Sequence, residues 1–555
     1  MTDLLRRWAQ GDRKAPRLLV VGGASLDILD VSGIPTPSAG GSGLYTSLAA
    51  ARAGASVTML APRPDPMPKV LAPADRFIRW VGPPVAPDDL PHFEIAYQPN
   101  GDVGRFESEM GAEPDLRPHL IDDLDDLPAM AFCVPFLDAS LQLAFVEDLA
   151  RRGCLTVANT YSCAARSNAE TVRRTAAAAD VFFCNESEAG LLFGSIDAVP
   201  CRPGQIVFVT RGADGATVIQ GSLHTRVPAP PAEVVDPTGA GDTFCGTVMA
   251  HLASGAHPVE AARHGVAAAS RMVEGVGPSL LIEDAGDAAP AADERARVDI
   301  GRVAAMASLL SGLDRVEPFD FTGDVFPEVG DPGALDFFFS ATLQQFGFWS
   351  TSDGHYGRPT YATIDGTRHK GSDYLWAAYL RWMRTEPGAL PPQGQAAVTP
   401  ERYAAALAED GGGTPLPALD LHASLAADYG ASLAQLGAAP ADLLEVANRS
   451  DRPLATLLRL LDHVGGYRED PLRKKSALLA IILQQRPEAW LHTAAGDDSP
   501  PIVDYHIQRT SLRTGMVVAD GALRSRLAER RVIEAEEEAA VRRAAYAAVA
   551  QLGDL

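Results

Sequence analysis

The chain predicts two domains, an N-terminal α/β domain on a parallel-rich sheet flanked by helices and a mainly α-helical C-terminal domain. Three observations predict this. The first half alternates short apolar, β-branched runs with Ala-rich stretches, the pattern of βαβ units. Between Gly275 and Arg297 the pattern breaks into Gly, Pro, Ala and Asp. Beyond that break, helical runs dominate. At 555 residues the chain exceeds one compact core.

The elements follow in order. Buried strands are expected at residues 18–23, 56–60, 131–134, 155–158, 181–184 and 206–209, with an Ala-rich helix at 47–53. Ligands in such sheets bind beyond the C-terminal ends of the strands. A further strand at 93–97 lies in the segment 89–105, a candidate lid. Helices are expected at 302–313, 374–384, 400–409, 454–464, 476–484 and 519–550. The boundaries read 1–283 for the first domain, 284–295 for the linker and 296–555 for the second.

With 46% hydrophobic and 21% charged residues, the composition is that of a globular chain. A net charge of -23 argues against a generic grip on nucleic acid or an anionic membrane, because phosphate backbones need clustered Lys and Arg. No secretory signal or membrane-length apolar run is read. The six cysteines lie in the first half without zinc-site spacing, so buried free thiols in a cytoplasmic protein are expected.

The stretch from Val235 to Phe244 carries the chemistry. Gly239, Ala240 and Gly241 let backbone N–H groups approach a ligand, and a helix follows. A helix N-terminus reached through glycines favours anions. Asp242 at that N-terminus is placed to take a proton from a hydroxyl while the amides stabilise a transferred phosphoryl group. The competing reading is a Gly-rich turn with Asp242 as helix cap.

Residues 17–280 resemble the PfkB family of ribokinase-like sugar and nucleoside kinases. The resemblance is carried by Gly22 to Asp27, by Gly40-Gly41-Ser42-Gly43, by Asn185-Glu186-Ser187-Glu188, by Thr210 to Gly215, and by the Asp242 stretch. It implies a ribokinase-like fold with a small β lid, and a sugar contact from Asp27 with Gly40 and Gly41. Asp242 is implied as base, with Gly239, Ala240 and Gly241 as anion hole. Asn185, Glu188, Thr210, Arg211, Gly212 and Gly215 fall at the ATP, with Glu188 reaching Mg2+ through water and K+ as a further candidate ion. Many members carry a sugar-binding Asn where this chain has Tyr45, an aromatic able to stack on a nucleobase.

Six aromatics fall between Phe337 and Trp349. Phe337 to Phe339 read equally as core; Phe346, Phe348 and Trp349 around Gly347 offer flat faces for a base. Residues 295–550 resemble the queuosine salvage protein family, glycosidases that release queuine from queuosine 5'-phosphate. The matching stretches are Ala341 to Ser350, an Asp365-Gly366 turn with Gly371, Pro417 to Asp420, Gly466 to Asp470, Arg473-Lys474-Lys475 and Val503 to His506. Gln344-Gln345 stands where that family commonly has Asn. The resemblance implies a DNA-glycosylase-like fold with no cofactor.

Breaking an N-glycosidic bond builds oxocarbenium charge on the ribose, so a carboxylate can stabilise the sugar and orient water. Asp504, in an apolar run, is the candidate; its alternative is a helix cap. A 7-deaza base lacks N7, so leaving-group help must come from elsewhere. Asp420 is placed to bind the guanine-like edge, or else is a surface residue. Arg473, Lys474 and Lys475 suit a 5'-phosphate, or else form a solvated helix face. Tyr467, Arg468 and Tyr505 complete the expected contacts, while His506 reads as packing.

Together the halves imply a bifunctional enzyme that phosphorylates queuosine with ATP and then releases queuine and ribose 5-phosphate. Its partners are small nucleosides, nucleotides and ATP, with a homodimer left open. One alternative is a PfkB kinase for another sugar or nucleoside, whose second half only binds. Another is a glycosidase for a different modified purine nucleotide.

Overall fold

The computed structural model describes residues 3–10, 16–31, 34–97, 103–283, 289–290, 292–314 and 316–554. The chain forms two compact units, Asp3–Ala291 and Ala292–Leu555. Residues 284–288 and 291 of the expected linker, and 98–102 of the expected lid segment, lie outside the described residues. Residues 293 and 295 join the second unit: Arg295 pairs with Glu536 at 3.2 Å, and Asp293 with Arg543 at 3.7 Å.

In the first unit nine strands form one sheet. Their spatial order is Leu223–Val227, Ala216–Gln220, Ile206–Thr210, Val181–Asn185, Leu155–Asn159, Met130–Cys133, Arg17–Val21, Ser56–Leu60, Ile78–Val81. Only the two pairings at the Leu223–Val227 edge are antiparallel. The middle strands are buried on both faces, as parallel strands covered by helices must be, which explains their continuous apolar runs. One helix group joins Ser42–Arg52, Ala240–Ala253 and Pro258–Met272; another joins Ala139–Arg151, Ala169–Ala178 and Glu186–Phe193.

Chain order reverses at Arg17–Val21: the next strands of the sheet lie on one side of it and Met130–Cys133 with its successors on the other. A crevice opens beyond the strand ends at such a point. The expected strand at 93–97 is present as His92–Tyr97. It pairs in parallel with Ser25–Val31 and antiparallel with Val103–Glu109, and Ile34–Gly40 completes a four-stranded second sheet.

The second unit is mainly helical, with short hairpins. Its centre is aromatic: Phe326, Phe337, Phe338, Trp376 and Trp490 pack ring against ring, so Phe337 to Phe339 are core. A second apolar cluster contains Val303, Val517, Leu523, Val541 and Ala545. The single helix expected at 519–550 is two, Gly521–Ala528 and Ala535–Asp554, because Arg530 turns the chain with φ 60°. Asp365 and Gly366 both take positive φ in the two-residue turn joining Tyr361–Ile364 to Thr367–Lys370. Their N–H groups donate to the Asp410 carboxylate.

The six cysteines are free. Cys133, Cys154, Cys184 and Cys245 are buried, but Cys201 is partly exposed and Cys163 exposed, because the latter sits on the short surface helix Ser162–Ser167. No helix among the described residues is long and apolar enough to cross a membrane.

Candidate functional site

A cavity of about 380 Å³ opens where the central strands end, at Gly23, Val134, Asn159, Asn185 and Thr210. Asp242 and Gly241 line it from the helix Ala240–Ala253. The approach to that helix is pinned by buried Asp236. Its carboxylate accepts from Thr238 N at 2.9 Å and Oγ1 at 2.6 Å, and from Gly277 N at 2.7 Å. The chain then turns through Gly239 at φ 78°, the left-handed region where glycine is the default residue. A Cβ there would meet the Tyr45 ring at 2.3 Å.

Gly239, with no side chain, holds the cap position, so Asp242 does not cap the helix. Its carboxylate instead accepts from Ser42 Oγ at 2.5 Å and Asn159 Nδ2 at 3.5 Å. Burial raises the Asp242 carboxyl to about 6 against these two stabilising bonds. A raised but still acidic group suits proton acceptance near neutral pH.

Asn185 and Glu188 form a reciprocal capping box: Asn185 Oδ1 accepts from Glu188 N at 2.8 Å, and Glu188 Oε2 from Asn185 N at 2.9 Å. Ser162 Oγ donates to Glu188 Oε1 at 3.3 Å. Burial, with a lesser push from Asp242, raises Glu188 to about 7. Glu188 and Asp242 thus present oxygen donors to one cavity, the chemistry a hard cation prefers. No cluster of three or more metal-ligating side chains occurs among the described residues.

Asp27 is 4% exposed, with Oδ1 unpartnered, and burial raises it to about 7. It fits only because Gly40 faces it; a Cβ at Gly40 would lie 1.7 Å from Asp27 Oδ2. Gly41 lines the cavity beside Ser42. Tyr45, expected to stack on a base, is 1% exposed and lies under the Gly239 turn rather than in the cavity wall. Thr210 lines the cavity. Arg211 begins the turn through Gly212 and Gly215, its N–H donating to Gly215 O at 2.7 Å and its guanidinium 3.5 Å from Glu186.

Four residues of this site escaped the sequence reading: Asn159, Ser162, Tyr161 and Glu113. Each comes from a loop or strand end whose partners are distant in the chain, so no local pattern marks it. Only Asn159, closing an apolar run, carries a signal that strand-end reasoning could have used.

In the second unit, Phe346 stacks on His422 with centroids 4.0 Å apart, and Lys475 Nζ lies 4.5 Å from the Phe346 centroid. Gln344 Oε1 meets His422 Nδ1 at 2.8 Å. Lys474 Nζ donates to Gln345 O at 2.7 Å and feels the Asp504 charge. Tyr505 meets Trp349 edge to face at 6.3 Å. The fold therefore gathers Phe346, Trp349, Lys474, Lys475, Asp504 and Tyr505 in one neighbourhood, with Phe348 buried beside Gly371.

The lysines are not a solvated face: burial lowers Lys474, and pushes Lys475 down to about 8. Arg473 is tied to Asp462. Asp504 does cap the helix Tyr505–Thr514, its Oδ1 accepting from His506 N and Ile507 N at 2.9 and 3.0 Å. Tyr467 anchors Phe339 O at 2.6 Å, and Arg468 pairs with Asp428 at 2.6 Å. Asp420 is exposed in the first turn of Leu419–Leu436. His422 was not legible in the sequence; a lone His on a helix reads as packing.

A doubly wound sheet with a glycine-turned helix N-terminus and a buried carboxylate at its switch point is an arrangement suited to phosphoryl transfer to an alcohol. Residues 137–285 match the model of the pfkB family carbohydrate kinases, which supports a sugar or nucleoside kinase domain of the PfkB type in this part of the chain. The chain is 27% identical over 270 residues to the cytidine kinase of Thermococcus kodakarensis, spanning 46% of this chain and 96% of that protein. It is 38% identical over 92 residues to the ribokinase of Bacillus subtilis, 16% of this chain and 31% of that one. The solved adenosine kinase of Sinorhizobium meliloti aligns at 21% identity and TM-score 0.42, over 48% of this chain and 96% of its own.

Proposed function

We propose that the first unit phosphorylates the 5'-hydroxyl of queuosine and that the second hydrolyses the resulting nucleotide to queuine and ribose 5-phosphate. The observation that carries the first step is Asp242, raised by burial and set at a glycine-turned helix N-terminus within the cavity. Asp242 accepts the hydroxyl proton as the oxygen attacks the γ-phosphorus. The backbone of Gly239, Ala240 and Gly241 stabilises charge on the transferred group. Asp27 holds sugar hydroxyls, and Asn185, Thr210 and the Arg211 to Gly215 turn face the nucleotide. Mg2+, when bound, neutralises phosphate charge; Glu188 and Asp242 would hold it through water, with K+ a further candidate ion.

Support for the second step comes from the resemblance to queuosine salvage glycosidases and from the gathered Phe346, Trp349, Lys474, Lys475, Asp504 and Tyr505. Half-buried Lys474, which feels the Asp504 charge, and buried Lys475 suit a nucleotide 5'-phosphate, and Asp504 suits an oxocarbenium sugar. The reading is tested by mass spectrometry of the protein with ATP, Mg2+ and queuosine. Wild type is expected to yield queuine and ribose 5-phosphate, and Asp504→Ala to accumulate queuosine 5'-phosphate. Queuosine returned unchanged by both proteins sinks the pathway.

A second reading has its own support in the likeness to a cytidine kinase along nearly the full length of that relative. In it the acceptor is another nucleoside, such as cytidine, and the second unit handles a different purine nucleotide or only binds. Cytidine phosphorylated far better than queuosine establishes it.

A further inference from the structure

Glu113 takes no part in phosphoryl transfer as described above, yet it lines the same cavity. It lies in a short turn, Glu113–Asp115, and is 8% exposed. One carboxylate oxygen comes within 3.9 Å of where a Gly23 Cβ would stand, at the end of the central strand. The other, Oε2, is buried without a hydrogen-bond partner. A backbone hydrogen bond at Leu137 steadies the carboxylate, but burial dominates and raises it to about 7. The same cavity is lined by Met110, Val134, Phe136 and Tyr161, of which Tyr161 feels the Glu113 charge.

Leaving a desolvated carboxyl oxygen unpaired is costly, and a ligand group that donates to it removes that cost. The cavity wall holds three carboxyl groups, Glu113, Glu188 and Asp242, and no Lys, Arg or His among the described residues. Asp242 and Glu188 act on one another electrostatically and serve the phosphoryl end. Glu113 instead perturbs Tyr161 and Cys133. With no cationic side chain in the lining among the described residues, a cationic partner for Glu113 would come with a bound ligand.

We propose that Glu113 is a specificity-determining residue of the kinase site, selecting acceptor nucleosides whose base carries a protonated aliphatic amine. The ammonium group donates to Oε2, turning the orphaned oxygen into a charge-assisted pair in an apolar pocket. This rests on the nucleoside-kinase reading of the first unit, and extends it to the part of the acceptor remote from the reacting hydroxyl.

The test compares 7-aminomethyl-7-deazaguanosine with 7-deazaguanosine as acceptors for the full-length protein and for Glu113→Gln, with ATP and Mg2+. Wild type is expected to favour the amine by about tenfold or more in kcat/KM, the range of a hydrogen bond to a charged group. Glu113→Gln is expected to erase that preference through KM, with kcat and the Kd for ATP within about threefold of wild type. The ATP measurement separates a lost contact from a lost fold, and Glu113→Asp is expected to recover part of the preference.

An unchanged amine preference in Glu113→Gln overturns the proposal, as does an equal loss on both acceptors. Failure of both deazapurines as acceptors instead overturns the queuosine reading. The comparison then passes to 5-aminomethyluridine against uridine, where the same preference and the same loss are expected.

Discussion

Asp242 is pulled two ways: enclosure favours its protonated form, while Ser42 and Asn159 favour the carboxylate, and enclosure wins to leave it near 6. A base works only when unprotonated, so kcat/KM is expected to fall as pH drops through about 6. Glu188, near 7, gains its proton first and adds an upper shoulder. Asp242→Asn is expected to cost ~100- to 10,000-fold in kcat above about pH 7, the usual worth of a general base, and less as pH falls below about 6 and wild type loses its own base. A wild-type profile flat down to pH 5 removes Asp242 from that role. Asp242 was legible because glycines, small residues and acid sit in one contiguous stretch. Glu113 was not, since Gly-Ala-Glu-Pro reads as an ordinary turn until the fold carries it to the end of Arg17–Val21. Tyr45 shows the opposite error: its aromaticity suggested a base contact, but its place on the inner side of Ser42–Arg52 buries it under Gly239.

At the scale of elements, the cradle contains two glycines with different physical duties. Gly239 takes φ 78° with the Tyr45 ring where a Cβ would go, whereas a Cβ at Gly241 meets nothing within 4 Å. Gly239→Ala therefore combines backbone strain of about 1 kcal/mol or more with overpacking of about 1–3 kcal/mol. It is expected to lower the thermal midpoint by several degrees. Gly241→Ala is expected to leave that midpoint unchanged and raise the KM for ATP, because its methyl group stands where phosphate approaches. Equal melting losses in the two variants contradict the packing account. Six of the nine strands of the main sheet were legible to within a residue or two, because both-face burial leaves unbroken apolar runs, whereas Ile78–Val81 and the edge strands Ala216–Gln220 and Leu223–Val227 were not. Their spatial order was not, since periodicity says nothing of which strand pairs with which. The helix expected at 519–550 failed for a related reason: helix-forming composition continues through Arg530, whose positive φ composition does not encode.

For the whole molecule, the two candidate chemistries occupy separate compact units, each with its own apolar core. A pathway in which the first unit supplies the substrate of the second has a fixed order. The second site offers half-buried Lys474 and buried Lys475, whose burial Asp504, Asp470 and Glu469 offset in part, and a nucleotide phosphate adds an anion that an unphosphorylated nucleoside lacks. Base release from queuosine is thus expected to require the kinase step, with one ADP formed per queuine. Asp242→Asn is expected to slow queuine release from queuosine by the same ~100- to 10,000-fold, yet to release it from queuosine 5'-monophosphate at the wild-type rate. Lys475→Gln is expected to do the reverse, phosphorylating queuosine normally while losing at least about tenfold in kcat/KM on the monophosphate, the scale of one charge-assisted contact. Chromatographic quantification of ADP, nucleotide and free base over time decides between this order and a direct one. Queuine formed by Asp242→Asn from queuosine at the wild-type rate and without matching ADP would show that the phosphate is dispensable, and with it the reason for joining these two units in one chain.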